Sequence, residues 1–109
     1  MLRVELHNES GVNIIKLSGD LSHDTIQQLQ QDIEYAVEGN SGSVIFDMSD
    51  LDFVDSKGAG FLVRYSNSLQ GRKVGLANLP DNIRNVLMRL NIVEQFRTFS
   101  SLGDAVRRI

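Results

Sequence analysis

The sequence predicts one α/β domain over residues 1–109: a small mixed sheet of four or five strands packed against about four helices. Three observations carry this expectation. Short apolar, β-branched stretches alternate with segments whose apolar residues recur every three or four positions. One stretch, Val44-Ile45-Phe46, has no polar interruption and suits a central strand covered on both faces. Finally, 109 residues with 41% apolar and 23% charged side chains fit a single soluble domain; the chain is too short for two and too apolar for a disordered one.

The elements follow in order. Val4 and Leu6, then Ile14, Ile15 and Leu17, lie on either side of Asn8-Glu9-Ser10-Gly11, which reads as a turn between two strands. The second strand is expected to stop near Gly19-Asp20. Residues 23–38 read as a helix with Ile26, Leu29, Ile33 and Val37 on one face, capped by Ser22 or Asp24 and ended by Gly39-Asn40-Ser41-Gly42. The central strand follows, and the polar stretch from Asp47 reads as a loop. A second helix is expected from about Ser56 to Leu69, with Leu62, Tyr65 and Leu69 inward. Val74-Gly75-Leu76-Ala77 is the next strand. Pro80 opens a third helix, where a missing N–H does no harm, and Ile83, Val86, Leu87 and Leu90 form its apolar stripe. Phe96–Phe99 reads as a short last strand, and Ser101 with Asp104 as the cap of a final helix. The strand–helix alternation predicts parallel pairing after the first hairpin.

Composition removes several function classes. There is no Cys, so disulfides, thiolate nucleophiles, Fe–S clusters and Cys-type zinc sites are excluded. His7 and His23 are the only imidazoles, too few for a poly-His metal site. A net charge of −3 argues against general affinity for nucleic acid or an anionic membrane. The first residues alternate polar and apolar and resemble a strand, not a signal peptide. No apolar run approaches the roughly 18–20 residues that span a bilayer. The expectation is a cytoplasmic domain without a cofactor. No G-x-S-x-G, P-loop or H-E-x-x-H pattern marks an enzyme, and Gly58-Ala59-Gly60-Phe61-Leu62-Val63 lacks the third Gly of a dinucleotide fingerprint. His23 beside Asp24 reads as a solvated residue at a helix start. Asp47, Asp50, Asp52 and Asp55 read as a solvated acidic loop in preference to a Mg²⁺ site.

The stretch from Asp47 to Leu62 leaves the carboxyl end of the central strand, the edge where open α/β sheets bind ligands and partners. Gly58 and Gly60 each cost a helix about 1 kcal/mol relative to Ala. Either another backbone comes close there, from a neighbouring element or a docked partner, or the turn needs unusual dihedrals. Ser56 sits where an N-cap is expected, with Asp55 as a loop acid. The alternative is a modification site, since a phosphate there would meet free backbone N–H groups and the positive end of the helix dipole.

Asp55-Ser56-Lys57-Gly58-Ala59-Gly60 resembles the D-S-x-G-x-G signature of the anti-sigma-factor antagonists, bacterial proteins of the STAS-domain family. Gly19-Asp20-Leu21-Ser22-His23 resembles the family's G-E/D-L-D segment, and Val44–Met48 with Leu51 and Val54 its central strand and approach loop. Residues 72–90 resemble its fourth strand and third helix, so the likeness covers nearly the whole chain. The resemblance implies partner switching. The unmodified protein binds an anti-sigma factor that is also a serine kinase with a histidine-kinase-type ATP site. Phosphorylation at Ser56 releases it, and a PP2C-type phosphatase resets the switch. The implied partner surface comprises Asp20, Ser22, His23, Asp24, Asp55, Lys57, Gly58 and Gly60. Lys57 departs from the Ser, Thr or Ala usual at that position, and a cation there either pairs with the phosphate or selects an acidic partner surface. The alternatives are an unphosphorylated STAS scaffold in a transporter or lipid-transport complex, and a switch with a non-sigma output such as biofilm formation.

Overall fold

The alternation of strand and helix signals is realised throughout the computed structural model, which describes residues 1–109. β1 (Leu2–Glu9) and β2 (Val12–Leu21) form an antiparallel hairpin. Their two-residue turn places Ser10 at φ 54° and Gly11 at φ 82°, the positive pair that matches the twist of the flanking strands. α1 (Ile26–Glu38), β3 (Val44–Val54), α2 (Ser56–Ser68), β4 (Val74–Ala77), α3 (Asp81–Arg89), β5 (Arg97–Phe99) and α4 (Leu102–Arg108) follow. The sheet order is β1-β2-β3-β4-β5, with every pair after the hairpin parallel. This is the mixed sheet and four-helix arrangement the sequence predicts.

β3 is the central strand. Val44, Phe46 and Met48 enter a cluster of 22 buried residues that includes Leu29 and Ile33 of α1, Leu62 of α2 and Ile83 of α3. Ile45 points the other way, into a small cluster with Ala77 and Ala105 under α4. One face of the sheet therefore carries three helices and the other only one.

Three boundaries differ from expectation. β2 runs on to Leu21, and β3 extends to Val54 in place of a loop after Asp47. The two strands stay paired to Asp20↔Phe53 and Leu21↔Val54 through register shifts near Lys16 and Gly19. Ser49, Asp50, Asp52 and Phe53 are exposed on this extension, so no apolar run announces it. α1 is capped by neither Ser22 nor Asp24: Thr25 occupies the cap position without a side-chain cap bond. Its hydroxyl instead donates to the Asp20 carbonyl at 2.8 Å, stitching the end of β2 to the helix start.

Candidate functional site

The extension of β2 and β3 brings two loops together at the carboxyl edge of the sheet. One is Ser22–Asp24, entering α1; the other is Asp55, entering α2. Asp55, not Ser56, is the N-cap of α2: its backbone is extended and its Oδ1 accepts from the Gly58 N–H at 2.7 Å. Asp55 is the better cap here because its second oxygen also reaches the neighbouring loop. Oδ2 accepts the His23 N–H at 3.1 Å and lies 3.2 Å from His23 Nδ1. The Asp55 N–H donates to the Leu21 carbonyl at 3.2 Å, closing the link in the other direction. Partial burial pushes the Asp55 carboxyl up. The N–H groups of Gly58 and His23 and the His23 ring together outweigh that and hold it below the usual carboxylate range.

With Asp55 as the cap, Ser56 becomes the first helical residue and is exposed, as is Lys57. The hydroxyl is left out of the capping bond, which Asp55 makes, at the first position of a 13-residue helix. His23 Nε2 lies 3.1 Å from Asp24 Oδ1, so the ring is held between two carboxylates, one of them on the residue that precedes Ser56.

The two motif glycines are helical, so the unusual-dihedral explanation falls away. They also differ from one another. A Cβ on Gly58 would stand 2.2 Å from the Leu21 carbonyl oxygen, so the helix can reach β2 only with glycine there. A Cβ on Gly60 would meet nothing but the tip of the Arg64 guanidinium at 3.2 Å. Gly60 is partly exposed and has no such neighbour within the fold.

The expected surface residues thus divide into two groups. Asp20, His23, Asp24, Asp55, Ser56, Lys57 and Gly60 are at least partly exposed at one end of the molecule. Ser22 and Gly58 are buried, and they shape this end without presenting a side chain to it. The acidic run does not converge. Asp47 is buried and accepts from the Ser49 N–H at 3.1 Å and Asn78 Nδ2 at 3.2 Å, Asp50 pairs with Lys16 at 3.2 Å, and Asp55 is the cap.

Two features were not legible as site elements. Phe53 is 50% exposed at the end of β3, in register with Asp20. Strand alternation would put Phe53 on the same face as the buried Leu51, two residues before it, so no sequence signal marks it as exposed. The second is a cavity of about 450 Å³ between α1 and α2, lined by Ile26, Glu34, Glu38, Phe61, Arg64 and Tyr65 among others. Phe61 and Tyr65 stack there with ring centroids 5.8 Å apart, and Tyr65 meets Phe46 edge-on at 6.0 Å. Burial pushes the Tyr65 hydroxyl up to about 12, with Arg72 opposing the shift and Glu38 adding to it.

The family model of the STAS domain matches residues 3–105. The chain is 26% identical over 106 residues to the anti-sigma-F factor antagonist RsfB of Mycobacterium tuberculosis, covering 96% of this chain and 87% of that one. It superposes on the structure of an anti-sigma factor antagonist from Mycobacterium paratuberculosis with a TM-score of 0.88 at 20% identity, covering 98% of this chain and 92% of that one. SpoIIAA is a third similar protein. Its unphosphorylated form superposes with a TM-score of 0.82 at 21% identity, covering 97% of this chain and 95% of that one. The phosphorylated form, from Bacillus, gives 0.74 at 22%, covering 97% and 98%. No helix is long and apolar enough to cross a membrane. A matching family model across nearly the full length, on a fold shared with these antagonists, leads to one conclusion: the chain belongs to the STAS-domain family.

Proposed function

We propose that this chain is a cytoplasmic anti-sigma-factor antagonist that acts by binding and is switched by phosphorylation of Ser56. Unmodified, it holds a serine-kinase anti-sigma factor through the surface around Asp20, His23, Asp24, Asp55, Lys57 and Gly60. Phosphorylation by that kinase releases it, and a PP2C-type phosphatase restores the binding form. The single observation that carries this reading is the exposed Ser56 hydroxyl, left out of the capping bond on a rigidly held helix start.

The energetics make a demand on the interface. Reversing a 99:1 population takes about 5.5 kcal/mol of differential affinity. A phosphate adds about −1.5 to −2 charge. Buried without a partner in a desolvated contact it costs several kcal/mol, whereas on a rim it costs little. Ser56 must therefore lie near the centre of the contact. The helix start around it tolerates the added group, because the first-turn N–H groups and the helix dipole favour an anion. Lys57 beside it is exposed and offers a cation to the same group.

The test is a calorimetric titration of purified anti-sigma kinases from the same genome into Ser56→Ala and Ser56→Asp. Ser56→Ala should bind one of them persistently, Ser56→Asp at least about a hundredfold more weakly. Intact mass after incubation with that kinase and ATP should show one phosphoryl group, mapped to Ser56. Equal affinity of the two variants overturns the proposal.

A further inference from the structure

We infer that the partner surface continues down α2 from Ser56 across Gly60 into the groove between α1 and α2, and that Gly60 is there to admit the partner's backbone. This rests on the partner-switching reading above and names more of the surface it uses.

The two motif glycines stand unequally in the fold. Gly58 is required by the fold, since any side chain would strike the Leu21 carbonyl. Gly60 weakens the same helix, yet only a mobile guanidinium tip lies near the space a methyl would fill. A helix-interior glycine that nothing inside the molecule requires leaves its cost unexplained within the monomer. Close approach from outside explains it, because a missing Cβ brings a second backbone nearer the helix axis.

Position supports the same assignment. Residues four apart on a helix share a face, so Ser56, Gly60 and Arg64 form one line. Arg64 lines the α1–α2 groove, which makes Gly60 the bridge between the switch residue and that groove. The groove floor holds the stacked Phe61 and Tyr65, and its α1 wall carries Glu34 and Glu38. Arg64 stands on the α2 wall. The occupant that fits is a segment of the partner protein with an apolar side chain for the floor and a Lys or Arg beside it facing the α1 wall.

The experiment has two arms. Thermal melts need no partner: Gly60→Ala should raise the melting temperature by about 2–6 °C, and Gly58→Ala should lower it. A lower melting temperature for Gly60→Ala overturns the inference, because the fold would then need that glycine. The second arm titrates Gly60→Ala and Glu34→Gln/Glu38→Gln with the purified anti-sigma kinase that Ser56→Ala retains, or with every candidate kinase if Ser56 makes no difference. Each variant should lose about tenfold or more in affinity while remaining folded. Wild-type affinity in both, with Ser56→Asp still released, overturns the inference and leaves the switch standing. Loss in both, with Ser56→Asp binding normally, supports the surface and removes the switch. Concentration-dependent self-association of the wild type, abolished by Gly60→Ala, would assign the surface to a second copy and also overturn it.

Discussion

Asp55 shows how much one side chain can organise. Its two oxygens serve Gly58, the His23 backbone and the His23 ring, so one carboxylate both starts α2 and fastens the loop before α1. Removing it with Asp55→Ala should cost about 1–2 kcal/mol, measured by urea unfolding near neutral pH. The sign of its pH dependence follows from the lowered carboxyl. The unfolded chain takes up the proton first, at about pH 4, so Asp55 contributes its full stability above that pH and loses it on further acidification. Unfolding midpoints at about pH 6 and pH 3 should differ less in Asp55→Asn than in the wild type; an unchanged difference would contradict this account. The residue was legible in sequence as a loop acid beside Ser56. Its role as cap was not, because Ser is an equally good cap by type and only the path of β2 supplies Asp55's second set of donors.

At the level of elements, the informative comparison is between the two ends of α1. Its start is tied by Thr25, and its end by Arg72 from the turn before β4. Arg72 donates to the Gly42 carbonyl at 2.7 Å, the Val37 carbonyl at 3.0 Å and Asn40 Oδ1 at 3.2 Å. Partly buried carbonyls at a helix end need such donors. Arg72→Ala should lower stability by about 1–3 kcal/mol, and Arg72→Lys should recover only part, since an ammonium does not spread across three acceptors as a planar fork does. Denaturant midpoints of the two variants check both statements. Helix existence was readable from periodicity at Leu29, Ile33 and Val37, all fully buried. The length of β3 was not readable. Its outer part buries Met48, Leu51 and Val54 at spacings of three and leaves Ser49, Asp50, Asp52 and Phe53 exposed, so neither an apolar run nor a period of two marks it as strand.

For the molecule as a whole, three helices on one face of the sheet leave a single large core, and the groove on its outer side is where that core meets solvent. Tyr65 links the two. Its hydroxyl is pushed up to about 12, so the folded state holds its proton where the unfolded chain releases it. That contribution is complete below about pH 10 and is lost as pH rises through the folded value. Tyr65→Phe should flatten the loss of stability between about pH 9 and pH 11, followed by denaturant midpoints. Hydrophobic periodicity, turn residues and the absence of Cys were enough, by themselves, to determine an α/β domain, its order of elements and its lack of thiol chemistry. They sufficed because burial of one face per element is a local property written at spacings of two, three and four. Tertiary structure alone decided which of two glycines the fold needs, which of two neighbours caps α2, and where a groove opens. Those answers depend on what a distant segment, β2 or α1, places within a few ångströms, and no local pattern carries that distance.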